Sequence, residues 1–188
     1  MTTSDMDLKQ TELWIGPATE NDAQSILLLQ RENLAKNLPP HQGFLKWETP
    51  EEMMVDIIRN EGAIVAKKDE KVIGYLILMS LERAKKMPFF DTFLAKLDSL
   101  QFGEKPVNEY SYIILGQDCV AREYRGRGIL ENIYEAAKKR FDGKYEIAVA
   151  SVVSDNTRSL WAHVKKLGCR IIYEPAQGEY ERYIIVLD

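Results

Sequence analysis

Six residues, Arg125-Gly126-Arg127-Gly128-Ile129-Leu130, form the stretch best equipped for chemistry. They follow an apolar run, Tyr112-Ile113-Ile114-Leu115, that reads as a strand, and they open a segment with helical spacing that ends near Phe141. Glycine carries no side chain, so a ligand can approach the peptide N–H groups at Gly126 and Gly128 closely. A helix starting there turns its free N–H groups and the positive end of its dipole back towards the turn. Arg122, Arg125 and Arg127 add positive charge against one neighbouring acid, Glu123. Together these features suit an anionic ligand, above all one bearing a pyrophosphate.

Spacing separates the phosphate-binding turns. A dinucleotide fingerprint needs a third glycine three residues after the second, and Glu131 stands there. A P-loop needs Gly-Lys followed by Ser or Thr, but Gly143-Lys144 is followed by Tyr145. What remains is a strand, an apolar Val120, and Arg-x-x-Gly-x at a helix start. This resembles the coenzyme A loop of the GNAT acetyltransferase superfamily, whose pattern is Gln/Arg-x-x-Gly-x-Gly/Ala. Arg125, Gly126, Arg127, Gly128 and Ile129 match in order; Leu130 departs, where the family has Gly or Ala.

The resemblance implies acetyl-CoA as co-substrate, with its pyrophosphate on the N–H groups from Gly126 to Leu130. It implies that the backbone of Cys119 and Val120 pairs with the pantetheine arm like an added strand. An Asn in the next strand-to-helix junction lies beside that arm in the family, and Asn156 matches. Its amide both donates and accepts; it also suits a helix N-cap, and the two roles are compatible. Family members often carry a Tyr seven residues after this Asn and four before a Gly-Phe pair. Here the two counts disagree. From Asn156 the count reaches His163, and back from Gly168-Cys169 it reaches Val164, because the segment is one residue longer than usual. His163 is therefore the candidate acid or positioning group, or an ordinary interhelix histidine. Asp118, two residues before Val120 and on the same face of a regular strand, is the candidate base or a plain strand-end residue. Glu109 and Glu82 are alternative bases.

The elements that must position these groups follow from periodicity. A first strand ends at Gly16-Pro17, and Thr19-Glu20-Asn21-Asp22 opens a helix with a capping-box pattern. Thr49-Pro50-Glu51-Glu52 opens a second helix, with Thr49 as N-cap. Two β-rich runs, residues 63–66 and 72–79, form a hairpin. Residues 81–108 break at Pro88 and predict a short helix, then one of about ten residues from Asp91. This insertion reads as a satellite helix, a substrate-side wall or a dimer contact. Beyond the central strand and its helix come a buried strand at 145–153, a helix from Asp155 or Asn156, and two last strands at 169–173 and 180–187, flanking a turn at 175–178. The implied fold is α/β (α+β): a mixed, mostly antiparallel seven-stranded sheet flanked by helices, with the helical insertion (about 82–108) between the third and fourth strands. That order also resembles the GNAT fold, over nearly all of the chain outside the tail and the insertion. Residues 1–10 read as a flexible tail, and residues 11–188 as one domain.

Composition bounds the rest. Net charge is −4, which argues against a general nucleic-acid binder and favours a cationic acceptor. Cys119 and Cys169 are too few and too far apart for a disulfide framework or a multi-Cys metal site. They read as reduced, buried residues of a cytoplasmic protein. No apolar run approaches the ~20 residues that cross a bilayer, and the polar N-terminus lacks a secretory pattern. No metal, nucleic acid or membrane partner is expected; a homodimer is allowed. The expected reaction is direct attack of a small-molecule or peptide primary amine on acetyl-CoA. The alternative is a non-catalytic CoA-binding sensor or scaffold of the same fold.

Overall fold

The computed structural model describes residues 13–38, 42–176 and 180–188. The tail at 1–10, the loop prolines Pro39 and Pro40 and half of the turn at 175–178 lie outside those residues. Strands β1 (Trp14–Pro17), β2 (Ala63–Lys68), β3 (Lys71–Met79), β6 (Tyr112–Val120), β7 (Ile147–Val153), β8 (Arg170–Tyr173) and β9 (Arg182–Leu187) build one seven-stranded sheet in the order β1-β2-β3-β6-β7-β9-β8. Only β6 and β7 run parallel; every other pairing in this sheet is antiparallel. A two-residue pair inside the insertion, β4 (Gln101–Phe102) and β5 (Lys105–Pro106), was not legible in the periodicity.

Helices α1 (Ala23–Glu32) and α2 (Glu51–Asn60) cover one face of the sheet, and α5 (Ile129–Phe141) covers the other. Adjacent β3 residues show why. Gly74 faces α5, where an added Cβ would stand 3.0 Å from Ile133 Cδ1, and the next residue, Tyr75, points the opposite way. Glycine at 74 therefore lets α5 settle close to the sheet. Ile129, Ile133, Tyr134 and Ala137 are buried against it, and each large side chain among them contributes about 1.5–3 kcal/mol.

The capping box forms at the first helix start: the Thr19 N–H donates to Asp22 Oδ2 at 2.8 Å. Thr49 is not the N-cap of α2. Its hydroxyl accepts from Gln30 Nε2 at 3.2 Å and its N–H donates to Gln30 Oε1 at 2.9 Å. Gln30 is fully buried, and a buried amide needs both partners. The pair fastens α1 to the loop that precedes α2.

In the insertion, α3 (Leu81–Ala84) and α4 (Asp91–Asp98) flank Pro88. Phe93 and Leu97 sink into the core. The last helical segment is α6 (Thr157–Trp161), continued by one π turn at Ala162–Lys166.

Candidate active site

Two irregularities open a cleft in the middle of the sheet. Strands β6 and β7 pair only from Tyr112 with Ile147 to Ile114 with Val149; beyond that they diverge. On the other edge of β6 the register against β3 shifts, since Leu78 faces Leu115 while Leu76 faces Asp118. One extra residue of β6 thus bulges between Leu115 and Asp118. A bulge bends and twists its strand, here within the stretch where β6 parts from β7. It also sets Asp118 on the face shared with Leu115, although three residues separate them and a regular strand would oppose them.

Past the bulge β6 is regular. The Ala121 N–H donates to Ile73 O at 2.8 Å, so alternate residues of β6 turn their backbone groups to β3 and those between turn theirs to the cleft. Val120 and Asp118 belong to the second set. Cys119 belongs to the first and pairs with Tyr75, so of the two residues expected to meet the pantetheine through the backbone, Val120 faces the cleft and Cys119 does not. The Cys119 thiol is pushed up to about 12 by burial, which leaves it unreactive.

The turn that follows holds Gly126 at φ 76° and Gly128 at φ 78°, where other residues are strained. An added Cβ at either would meet nothing within 4 Å. No side chain caps the start of α5. Among the described residues, the N–H groups of Gly126, Arg127, Gly128, Ile129, Leu130 and Glu131 find no acceptor in the protein. They form an open cradle for an anion. Leu130 is half-buried and lies in the cavity wall beside this cradle. Glu131, which also faces that cavity, is paired with Lys166 at 3.5 Å.

The three arginines of the turn differ. Arg122 and Arg127 are exposed. Arg125 folds inward: Nε donates to Val120 O at 2.9 Å and Nη2 to Asn33 Oδ1 at 2.8 Å. It ties the end of β6 to the end of α1. Its Nη1 and Asn156 Oδ1 are the two buried side-chain atoms without a partner among the described residues. Asn156 does not cap α6 with its side chain; Nδ2 donates instead to Phe44 O at 2.9 Å, which leaves Oδ1 as an unused acceptor.

Behind the cleft, Asp118 meets His163 and Tyr134, a residue of α5 to which the sequence assigned no role. His163 Nε2 lies 2.9 Å from Asp118 Oδ2, and the Tyr134 hydroxyl donates to that same oxygen at 2.6 Å. His163 Nδ1 lies 2.8 Å from Ser159 O. Nε2 thus faces the Asp118 carboxylate, with the Tyr134 hydroxyl also 3.0 Å away, and Nδ1 faces the Ser159 carbonyl, an arrangement that favours the protonated ring. Burial opposes its charge, but the Asp118 carboxylate outweighs that and raises the His163 pKa. Burial likewise works against the Asp118 carboxylate, and His163 and Tyr134 more than offset it, so the Asp118 pKa is lowered. Tyr134, raised well above the ordinary phenol value by burial and by Asp118, stays a donor. The signal for Tyr134 was its position five residues after Ile129 on the buried stripe of α5, which marks core but not chemistry.

The π turn resolves the two disagreeing counts. Its i to i−5 bond, Leu167 N–H to Ala162 O at 3.3 Å, absorbs the additional residue, and π turns of this kind frequently mark functional sites. The first turn after Asn156 is regular, and His163, seven residues after it, is the residue that lies against Asp118. Val164 is only half-buried. Glu82 and Glu109 are exposed and line neither cavity described below.

Two cavities meet at this pair. One, about 780 Å³, runs from the open cradle along the cleft past Val120, Arg125 and Leu130. The other, about 460 Å³, lies under the insertion and includes Asn156. Both are bounded by Phe44, Leu45, Asp118, Ser159 and His163. Among the described residues no cluster of His, Cys, Asp and Glu could hold a metal ion, and no helix is long and apolar enough to cross a membrane.

The sequence matches the acetyltransferase (GNAT) family over residues 29–169. The chain belongs to that family. Solved structures share the fold of this GNAT acetyltransferase-family chain. The protein smu.2055 from Streptococcus mutans UA159 superposes with a TM-score of 0.63 at 17% identity, covering 93% of this chain and 98% of that one. Arabidopsis thaliana NAA60 in complex with a bisubstrate analogue gives 0.62 at 14% identity, over 93% and 97%. Diaminobutyrate acetyltransferase EctA from Paenibacillus lautus, in complex with L-2,4-diaminobutyric acid and coenzyme A, gives 0.59 at 12% identity, over 94% of each chain. No curated protein matches in sequence. Family membership supports acetyl transfer from acetyl-CoA in general terms.

Proposed function

We propose that this protein is an acetyl-CoA-dependent N-acetyltransferase in which a primary amine attacks the bound thioester directly. The observation that carries the reading is the shared wall of the two cavities: it holds the buried Asp118–His163 pair, with an open amide cradle at the far end of one cavity. The residues present fit the co-substrate. The cradle at 126–131 suits a diphosphate, while the unpartnered Nη1 of Arg125 and Oδ1 of Asn156 supply one donor and one acceptor for amides of the pantetheine arm. Acetyl-CoA supplies an acetyl group on a thiol whose pKa near 8.5 makes it a good leaving group.

The protein's own groups then have distinct tasks. The Val120 N–H, on the cleft side of β6, is placed to stabilise negative charge developing on a carbonyl oxygen. Asp118, held ionised by His163 and Tyr134, accepts the proton that the attacking nitrogen gives up. The new N–C bond replaces the C–S bond, and the proton is returned to sulfur by way of His163 or water. Holding both reactants at one wall contributes several kcal/mol by orientation alone.

The test pairs calorimetry with an assay of CoA release over an amine panel. Acetyl-CoA binding and amine-dependent release support the proposal; no binding at about 1 mM ligand refutes it. Tight binding without turnover on any amine would favour a CoA sensor. Gly128→Val should abolish binding, because its side chain would stand over the cradle; unchanged affinity would place the co-substrate elsewhere.

A further inference from the structure

The second cavity has a composition that the net charge of −4 did not foreshadow. Its walls carry the rings of Phe44, Trp47, Phe89, Phe90, Phe93 and Tyr180. Trp47 and Phe89 stack edge to face at 5.3 Å, and both are exposed, at 41% and 55%, so rings remain open to a ligand. The insertion thus serves as a wall of this cavity as well as a satellite of the core.

Charge is distributed just as unevenly. Among the described residues that line the cavity, Asp118 is the one carboxylate, and it is already paired with His163 at 2.9 Å. Two cations besides His163 face the same space, Lys46 and Arg182. Lys46 is paired with Asp155 at 3.4 Å. Arg182, at the start of β9, is braced by neutral groups: Nε donates to Ser151 Oγ at 2.9 Å and Nη2 to Ser151 O at 3.2 Å. No carboxylate among the described residues pairs with it. A guanidinium held in place by neutral partners, at the wall of an aromatic cavity, presents its remaining donors to a planar anion.

We infer that the acceptor combines its primary amine with a bulky apolar or aromatic body and a carboxylate, the carboxylate held by Arg182. The inference rests on the acetyl-transfer reading of the site and adds the substrate class. Among the described residues of the lining, a polyamine or other polycation finds no carboxylate except one already paired, and it meets the guanidinium of Arg182, which no carboxylate there offsets. The rings accommodate the body by stacking, Arg182 fixes the carboxylate, and the amine is left to reach Asp118.

The experiment measures kcat/KM, corrected for the neutral fraction of each amine, for L-phenylalanine, L-tryptophan and para-aminomethylbenzoate. Each is compared with its own carboxamide, and spermidine is the cationic control. The acids are expected to exceed their carboxamides by roughly ten-fold or more, as for a lost charge-assisted hydrogen bond. Spermidine is expected to be the poorest acceptor. In Arg182→Gln the gap between acid and carboxamide should shrink to roughly two-fold or less. Acetyl-CoA affinity by calorimetry reports that the variant is folded. Spermidine at or above the acids, carboxamides equal to acids, or a gap that survives Arg182→Gln would overturn the inference. Turnover of none of the acids with acetyl-CoA binding intact overturns the acceptor class alone. Loss of acetyl-CoA binding in the unaltered protein overturns the site reading with it.

Discussion

The hydroxyl of Tyr134 reaches across from α5 to donate to Oδ2 of Asp118 on β6, at 2.6 Å, the oxygen that also receives Nε2 of His163. Three elements distant in sequence thus converge on one oxygen. The two supports should be separable. Asp118→Asn leaves the buried His163 ring without the carboxylate that pairs with it. It should cost about 3 kcal/mol or more of stability and lower kcat by roughly 10²–10⁴. Tyr134→Phe keeps the ring and removes the hydroxyl's contacts with Asp118 Oδ2 and His163 Nε2, so it should cost about 1–2 kcal/mol and lower kcat by less than roughly ten-fold. Urea titration and steady-state kinetics on both variants check this; equal kcat losses would mean that Tyr134 takes part directly.

The pair also gives stability a pH dependence of defined sign. The folded-state pKa of His163 is raised above 6.5. Its contribution is therefore fully present below about pH 6.5 and is lost as pH rises through the higher folded value. The folded-state pKa of Asp118 is lowered below 3.8, so its contribution is present above about pH 3.8 and is lost as pH falls through the lower value. The urea midpoint should decline on the alkaline side of this window, and Asp118→Asn should flatten that decline. A decline identical in the variant would assign it to other groups.

Arg125 and Arg127 should behave oppositely although they flank the same glycine. Arg125→Ala removes bonds to Val120 O and Asn33 Oδ1 and should lower stability by about 2–3 kcal/mol, since hydrogen bonds from a charged group are being lost. Arg127 is exposed and its guanidinium lies 5.6 Å from the Tyr124 ring centroid. Arg127→Ala should leave the urea midpoint within about 0.5 kcal/mol of the parent, and should weaken acetyl-CoA binding most at low salt. Salt-independent loss of affinity in Arg127→Ala would contradict this assignment.

Asn156 offers a test in which stability and affinity part company. Asn156→Ala deletes one donor bond, to Phe44 O, and one unsatisfied buried oxygen. These offset one another, so stability should change by less than about 1 kcal/mol. If Oδ1 accepts from the pantetheine arm, affinity for acetyl-CoA falls by about 1–1.5 kcal/mol, roughly ten-fold. Calorimetry decides: affinity within two-fold of the parent, with stability unchanged, would remove Asn156 from the binding site.

Local chemistry determined much of this. Positive φ at Gly126 and Gly128 and a helix opening immediately after them are written in six consecutive residues, and the strand-helix order follows from periods of two and 3.6 residues. Asp118, His163 and Asn156 were reachable by counting along single elements. The tertiary structure decided what counting leaves open. The bulge before Asp118 and the π turn that contains His163 are one-residue irregularities, invisible to a periodic pattern, yet they choose which side chains meet. Tyr134 repeats the apolar stripe of α5, so only the strand opposite it reveals its hydroxyl as part of the site. Arg125 and Arg127 read alike in sequence, because a side chain's direction depends on what lies across from it, here Asn33 just past the end of α1. The aromatic, cationic lining of the second cavity is drawn from segments far apart along the chain, and the sign of the total charge says nothing about a wall assembled only by folding.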